Sequence, residues 1–417
     1  MIKKNIFLIC YGGGHINIIE PIVDELIKNK NYNVKLLALT TAYIKVKNKY
    51  DKNILKSVSD YLFLFDENID SIFQNGLKIF KDNYNKSIGL SKLEVLSYLG
   101  LSYSESISKS GKNKAYKAYK EIGRQSFLPI NTIKKILEYE NIDLVITTNS
   151  PRFEKASLLA SKELDIKSIQ IVDLFGDDLI KQNATYIIVM NEMVKNKLIK
   201  KGFAESSIFA LGQPAIEKSV HNIMKINKID LYEKIINDID LDKKNLIYFS
   251  QPAIKFDKNG NNLGYVPYDE VNPFIFKILD NLKYKYNIYF RLHPNEKFED
   301  YVKYFEKYPE IVYLNDKFNL SESIALSDFV VTPYSTVSIE AISCNKIVFT
   351  YKANFNESFP IELLKNKPFI YSNSYNELFE NIVDIEFVND NLKHNNDFLQ
   401  LNFKAKFNEL LENYVFK

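Results

Sequence analysis

The sequence predicts an α/β chain of two Rossmann-like, doubly wound parallel-sheet domains, with a helical insertion in the first. Three observations carry this expectation. A strand–glycine loop–helix–strand unit opens the chain. Apolar, β-rich runs then alternate with helical patterns in two separate series. Finally, 417 residues exceed one ordinary domain.

Asn5–Tyr11 is a continuous apolar run, as in a strand buried on both faces. Gly12–Gly14 end it. Ile18, Ile19, Ile22 and Leu26 then recur at helical spacing, with Pro21 tolerated in the first turn. Asn33–Leu39 reads as the second strand, and Tyr61–Phe65, Leu144–Thr147, Lys167–Val172, Tyr186–Met190 and Ile208–Leu211 as further strands. Helical patterns such as Phe153–Glu163 and Glu192–Lys200 separate most of them. From about 66 to 141 the patterns are helical without strands, which reads as an insertion. The second series comprises Asn245–Ser250, Asn287–Leu292, Phe329–Thr332 and Ile347–Tyr351. Gly212-Gln213-Pro214 and the polar segment Glu217–Asp242 lie between the series. The expected domains are therefore 1–216 and 217–417, the second closing on an amphipathic helix over Asn396–Tyr414.

Composition excludes several classes. With 46% hydrophobic and 26% charged residues the chain is globular, and a net charge of +3 is too mild for nucleic acid. No run approaches the roughly 18 apolar residues of a membrane span. The apolar stretch Ile6–Ile9 is short and lacks a small-residue cleavage site, so it does not read as a signal peptide. Cys10 and Cys344 are far apart and lie in or beside apolar segments. They read as buried reduced thiols in a cytoplasmic protein, and no paired-Cys metal spacing exists. No metal or other cofactor is expected.

The loop Gly12-Gly13-Gly14-His15 follows a strand and precedes a helix, where backbone N–H groups can approach a phosphate or a sugar hydroxyl. A tight turn alone would also use these glycines. A dinucleotide fingerprint fails, because Asn17 stands where the third glycine belongs and strand two ends Leu39-Thr40-Thr41 without an acid. A sharper constellation lies in the second half. Arg291-Leu292-His293-Pro294 ends one predicted strand, and Pro333-Tyr334-Ser335-Thr336 ends another before a helix. Both sit at the carboxyl edge of a parallel sheet, where open α/β folds bind ligands. Ser335 and Thr336 present hydroxyls and free N–H groups to a phosphate, His293 can donate to the same group, and Glu340 can accept from ribose hydroxyls. Ser and Thr in such places also serve as simple caps. Ser250-Gln251-Pro252, Thr147–Arg152 (with Asn149 and Arg152) and Asp173–Asp178 close other strands at the same kind of edge, as any polar loops would.

The His-Pro element paired with a Ser-Thr helix start and a downstream Glu resembles the C-terminal half of GT-B enzymes of bacterial surface-polysaccharide synthesis: Kdo transferases, sialyl- and polysialyltransferases, and glycerophosphotransferases. The likeness covers roughly 60 residues. It implies two domains facing across a cleft and a donor phosphate held by His293, Ser335 and Thr336. It also implies a CMP- or CDP-activated donor. Gly12–His15 is similar to the glycine loop of UDP-sugar GT-B enzymes such as the lipid II synthase. The acidic-acidic-Gly base motif of the polysialyltransferases is missing, since Asp177-Asp178 follow Gly176.

These readings lead to an expected glycosyltransferase, taking a CMP-nonulosonate or CMP-Kdo donor to a surface glycan or glycolipid acceptor without a metal. His15, then Asp177, are the candidate bases. Ser250, Gln251, Pro252, His293, Ser335, Thr336 and Glu340 are assigned to the donor, and Gly12, Gly13, Gly14, Asn149, Arg152 and Asp173 to the acceptor side. Glu20 reads as a counter-charge to its helix start. A UDP-hexose transferase and a nucleotide-sugar 2-epimerase on the same fold are the alternatives. The epimerase needs acidic residues around the sugar and a His-Arg pairing that the sequence does not display. Lys117, Lys120 and Arg124 read as a solvated helix face, or as a dock for anionic lipid at the inner membrane face. Arg152 alternatively forms a structural salt bridge with Glu154 or Asp173.

Overall fold

The computed structural model describes residues 3–177, 179–236, 239–359, 361–385 and 398–417. The chain divides into two compact units, Met1–Ala215 with Gln400–Lys417, and Ile216–Leu399. Each is a parallel sheet flanked by helices, as the alternation of strand and helix patterns requires.

The first sheet has seven strands: β1 (Lys4–Tyr11), β2 (Tyr32–Leu39), β3 (Leu55–Lys56), β4 (Leu144–Thr147), β5 (Lys167–Ile171), β6 (Tyr186–Val189) and β7 (Ile208–Ala210). Their order is β3-β2-β1-β4-β5-β6-β7, and every pairing is parallel. Ile6 to Cys10 of β1 are all fully buried, which explains the uninterrupted apolar run. Strand order reverses between β1 and β4, where Ile9 stands opposite Thr147. The carboxyl ends of these two strands form the switch point at which such sheets bind ligands.

Tyr61–Phe65, expected as a strand, is part of a 3-10 segment over Val58–Asn68. The Ser57 N–H donates to the Asp60 carboxylate at 2.7 Å, closing a capping box that commits the apolar run to a helical turn. The edge strand is β3 instead. Helices Ile69–Phe80, Lys92–Ser110, Lys112–Ile122 and Ile130–Tyr139 follow, the last two separated by a short 3-10 turn. The first two of these cross closely. A Cβ on Gly100 would stand 2.6 Å from the Ile72 carbonyl oxygen, so only glycine admits that approach.

The terminal helix belongs to the first unit, a correction to its expected place in the C-terminal domain. It is described over Phe403–Leu410, with a π turn at Leu411–Val415, while 396–397 lie outside the described residues. Phe403, Phe407 and Leu410 share a core with Ile18, Ile22 and Leu26 of the first helix. An apolar stripe goes wherever it finds cover, and sequence order does not reveal where that is. The returning chain passes directly over Gly212, whose φ is +106° and whose added Cβ would lie 2.2 Å from the Gln400 oxygen.

The second unit carries β8 (Lys244–Phe249), β11 (Tyr286–Arg291), β12 (Val312–Tyr313), β13 (Phe329–Thr332), β14 (Ile347–Tyr351) and β15 (Ile370–Ser372). The order is β12-β11-β8-β13-β14-β15, again parallel, with the reversal between β8 and β13. An antiparallel hairpin, β9 (Ile254–Phe256) with β10 (Asn262–Tyr265), was not anticipated. No helix among the described residues is long and apolar enough to cross a membrane.

Candidate functional site

In the N-terminal domain the switch point is built around a buried carboxylate. β1 ends at Tyr11, Gly12 turns the chain with φ +87°, and His15 stands at the N-cap of helix Ile16–Leu26. β4 ends at Thr147, and the next residue, Thr148, faces His15: its Oγ1 lies 2.6 Å from His15 Nδ1. Thr148 donates its own proton to Glu154 at 2.5 Å. A hydroxyl has one proton to give, so Thr148 accepts from the ring, and His15 carries its proton on Nδ1. That leaves Nε2 with its lone pair, the form a general base requires.

Glu154 opens helix Phe153–Glu163 and is fully buried. It also accepts from the backbone N–H groups of Tyr11 (2.7 Å) and Ser150 (3.1 Å), so both strand-end loops hang on one carboxyl group. Burial raises its pKa, against the opposing pull of His15 and of these donors. When Glu154 takes up a proton the chain reverses, Thr148 donating to His15. A two-way Glu–Thr–His relay results.

Arg152 makes neither of the salt bridges considered for it. Its guanidinium lies 3.9 Å from the centre of the Tyr11 ring, and its Nε is buried without a hydrogen-bond partner. Asn149 Oδ1 accepts from the Asp173 N–H at 3.2 Å, tying two of the predicted loops together. Gly13 and Gly14 occupy the same turn as Gly12. Asp177 is differently placed. It is exposed and paired with Lys197, while Lys201 donates to the carbonyls of Gly176, Asp177 and Leu179. None of these contacts involves His15, Thr148 or Glu154. Asp178 lies outside the described residues. Glu20 pairs with Lys49 at 2.5 Å.

In the C-terminal domain Ser250, Gln251, His293, Ser335, Thr336 and Glu340 line one cavity of about 340 Å³ at the β8/β13 switch point. Pro252 is not in its wall; its carbonyl accepts from the Tyr334 hydroxyl at 2.9 Å. The loop after β11 is held by Glu296, a residue the sequence reading missed. Its carboxylate accepts from the His293 N–H (2.9 Å), the Ser250 hydroxyl (3.1 Å) and the Tyr301 hydroxyl (2.6 Å). Burial raises its pKa, again against its donors. The Asn295 N–H points at His293 Nδ1 (3.1 Å), so that nitrogen accepts and the ring proton resides on Nε2, where it is available to an anion. Ser335 is buried, and its Oγ accepts from the Val337 N–H at 3.3 Å. Glu340 accepts from Ser219 and has its pKa raised by burial. Arg291 donates to the Phe318 carbonyl (2.6 Å) and the Ser323 hydroxyl (3.1 Å), and so shapes the cavity wall.

The basic stripe does not persist. Helix Lys112–Ile122 ends at Gly123 (φ +57°) and Arg124 enters a 3-10 turn, separating it from exposed Lys117. Cys10 is buried and Cys344 half-buried, both as free thiols. No group of three or more His, Cys, Asp or Glu able to hold a metal occurs among the described residues.

No family model and no curated protein matches this chain. Solved structures do. The UDP-GlcNAc 2-epimerase from Neisseria meningitidis bound to UDP-GlcNAc superposes with a TM-score of 0.60 at 10% identity, covering 98% of this chain and 100% of that one. The UDP-GlcNAc 2-epimerase from Methanocaldococcus jannaschii gives 0.58 at 13% identity, covering 98% and 99%. The UDP-N-acetylglucosamine 2-epimerase from Rickettsia bellii gives 0.54 at 14%, covering 99% and 97%. The chain thus has the fold of these proteins, two parallel-sheet α/β domains of the GT-B kind. The expectation of a glycosyltransferase with a CMP-activated donor is overturned by these neighbours, which are epimerases of UDP-sugars.

Proposed function

We propose that this chain is an enzyme acting on a UDP-sugar, and that its reaction is epimerisation at C2 of a UDP-N-acetylhexosamine. The C-terminal cavity holds the nucleotide diphosphate, with His293 Nε2–H, Ser335 and Thr336 as donors to the phosphates and Glu340 as acceptor for the ribose. These side chains and backbone groups hold the diphosphate without a metal, and activity surviving EDTA tests that part.

Acid–base inversion at C2 removes its hydrogen as a proton and returns a proton to the other face. The observation that carries the reading is the Glu154–Thr148–His15 relay, which leaves His15 Nε2 free to accept and can run in both directions. His15 is the proposed catalytic residue; Thr148 and Glu154 position it. As the C2–H bond breaks, its electron pair forms a C1=C2 bond and UDP departs from C1 with the C1–O bonding pair; return of a proton to the other face of C2 and of UDP to C1 restores the nucleotide sugar, so no second reactant is consumed. Whole-chain likeness to UDP-GlcNAc 2-epimerases supports the choice of reaction.

The test is incubation of the protein with UDP-GlcNAc alone in D₂O, followed by proton NMR. The expected outcome is growth of UDP-ManNAc with deuterium at C2. Unchanged, undeuterated substrate from a protein that UDP stabilises against heat would sink the epimerase reading while sparing the nucleotide site.

A further inference from the structure

The N-terminal domain contains a second cavity, of about 230 Å³, between the carboxyl ends of β1 and β2 and the helical insertion. Its contents are unusual for a structural void. Tyr98 lines it, is only 4% exposed, and buries a hydroxyl that makes no well-formed hydrogen bond, with the Tyr11 phenol beside it. Buried hydroxyls are ordinarily bonded, so an orphan marks either strain or an absent partner. Arg124 lines the same space, and its guanidinium makes no ion pair or hydrogen bond among the described residues. Its charge nevertheless reaches Tyr98. Burial and the neighbouring Tyr11 push that phenol up, while Arg152 and Arg124 pull against them.

Composition strengthens the point. The chain has 52 lysines and only three arginines, at 124, 152 and 291. Arg291 lines the C-terminal cavity, and Arg152 covers Tyr11 at the N-terminal switch point. The third lines this one. In a chain that otherwise uses lysine for positive charge, Arg124 places a planar guanidinium here that could hold a flat anion by two parallel hydrogen bonds.

We propose that this cavity is a binding site for a small hydroxylated carboxylate of monosaccharide size, its carboxylate taken by Arg124 and the Tyr98 hydroxyl. Space for roughly seven or eight waters, at about 30 Å³ each, suits a single ring. Leu39, Val95 and Tyr11 offer apolar walls to the ring's C–H faces, and Thr40 and Thr41 offer partners to its hydroxyls. Glu94 also lines the cavity, accepting from the N–H groups of Val58 (3.1 Å) and Ser59 (2.9 Å). A carboxylate in the wall disfavours a dianion, so a carboxylate ligand is preferred over a phosphate ester. This site does not depend on the nucleotide reading, since all of its residues lie in the first unit.

Isothermal titration of the full chain with D-glucuronate, D-glucose and glucose 1-phosphate tests it. Glucuronate should bind and the other two should bind at least about ten-fold more weakly. Arg124→Lys should weaken glucuronate about ten-fold, and Tyr98→Phe by about three- to ten-fold. Tyr98→Phe should not lower the melting temperature of the unliganded protein, because the lost hydroxyl makes no well-formed hydrogen bond. Ser335→Ala should leave glucuronate binding unchanged, which separates this site from the nucleotide cavity. The proposal is overturned if glucuronate does not bind, if glucose or glucose 1-phosphate binds equally well, or if neither Arg124→Lys nor Tyr98→Phe alters binding.

Discussion

The two domains solve the same local problem with the same parts and reach opposite outcomes. Each brings a histidine to the carboxyl edge of a parallel sheet at a strand-order reversal, and each anchors that histidine's loop on one buried glutamate. In the N-terminal domain Glu154 reaches the ring itself, through the Thr148 hydroxyl. In the C-terminal domain Glu296 reaches only the backbone N–H of His293, and a second backbone N–H caps the ring's Nδ1. The first arrangement leaves Nε2 as an acceptor wired to a titratable group. The second leaves Nε2 as a fixed donor. On the proposed reaction, one carboxylate–histidine motif serves as a proton shuttle in one domain and an anion clamp in the other, depending on which atom the carboxylate touches.

This contrast is most open to attack at His15. On the proposed reaction His15→Ala should lower kcat by about 10²–10⁴-fold, the usual range for a lost acid–base group, with UDP affinity little changed. A variant with full turnover would show that the N-terminal histidine is no shuttle. Thr148→Val tests the wiring more finely. It removes the hydroxyl but keeps the shape, and adding about 1–3 kcal/mol to the barrier lowers kcat by roughly five- to 150-fold. Thr148→Ser should restore most of the activity, which a packing role would not predict. Both effects should be read in kcat rather than KM.

On the C-terminal side the expected effects are smaller and fall on binding. In Glu296→Gln one amide oxygen must serve where two carboxylate oxygens now receive three donors, so the His293 loop loosens. UDP should bind about ten-fold more weakly, equivalent to about 1.4 kcal/mol, with deuterium exchange at saturating substrate nearly intact. A loss of turnover without loss of affinity would erase the distinction between the two histidines.

Much of this frame was legible in the chain itself. Both parallel sheets announce themselves as apolar runs punctuated by helical patterns, and the switch-point loops follow from strand ends at Tyr11, Thr147, Phe249 and Thr332. What stayed hidden was non-local. Glu154 looks like an ordinary acid in a first helical turn, and only the pairing of β1 with β4 reveals that it holds Tyr11 and Thr148. Glu296 stands three residues after His293 and reads as a loop acid until Tyr301 and Ser250 fold onto it. The run Tyr61–Phe65 was ambiguous between strand and helix because length and apolarity do not separate them, and the Ser57–Asp60 capping box decided it. Asp177 stood out for its place after a glycine, but a surface lysine takes its charge. The motif that suggested a cytidine-activated donor is, on the proposed reading, a phosphate grip, and a phosphate grip does not read the base.

The smallest expected effect concerns stability and tests whether Glu154 is costly to the fold. Burial raises its carboxyl above the ordinary value of 4.5. The folded state therefore holds that proton at pH values where the unfolded chain has released it. The resulting contribution to stability is complete below pH 4.5 and is lost as pH rises through the folded-state value. The fall is bounded by about 1.4 kcal/mol per pH unit. Glu154→Gln cannot release a proton, so urea melts of the parent and the variant, stepped upward from pH 4.5, should diverge, with the variant losing less stability. The same substitution should remove the limb of the pH–turnover profile that Glu154 supplies. Glu296→Gln should alter the stability profile without altering that turnover response, because its carboxylate never touches a ring nitrogen. Parallel melts in parent and Glu154→Gln would mean that the donors around Glu154 fully offset its burial, and that the relay rests on a permanently ionised carboxylate.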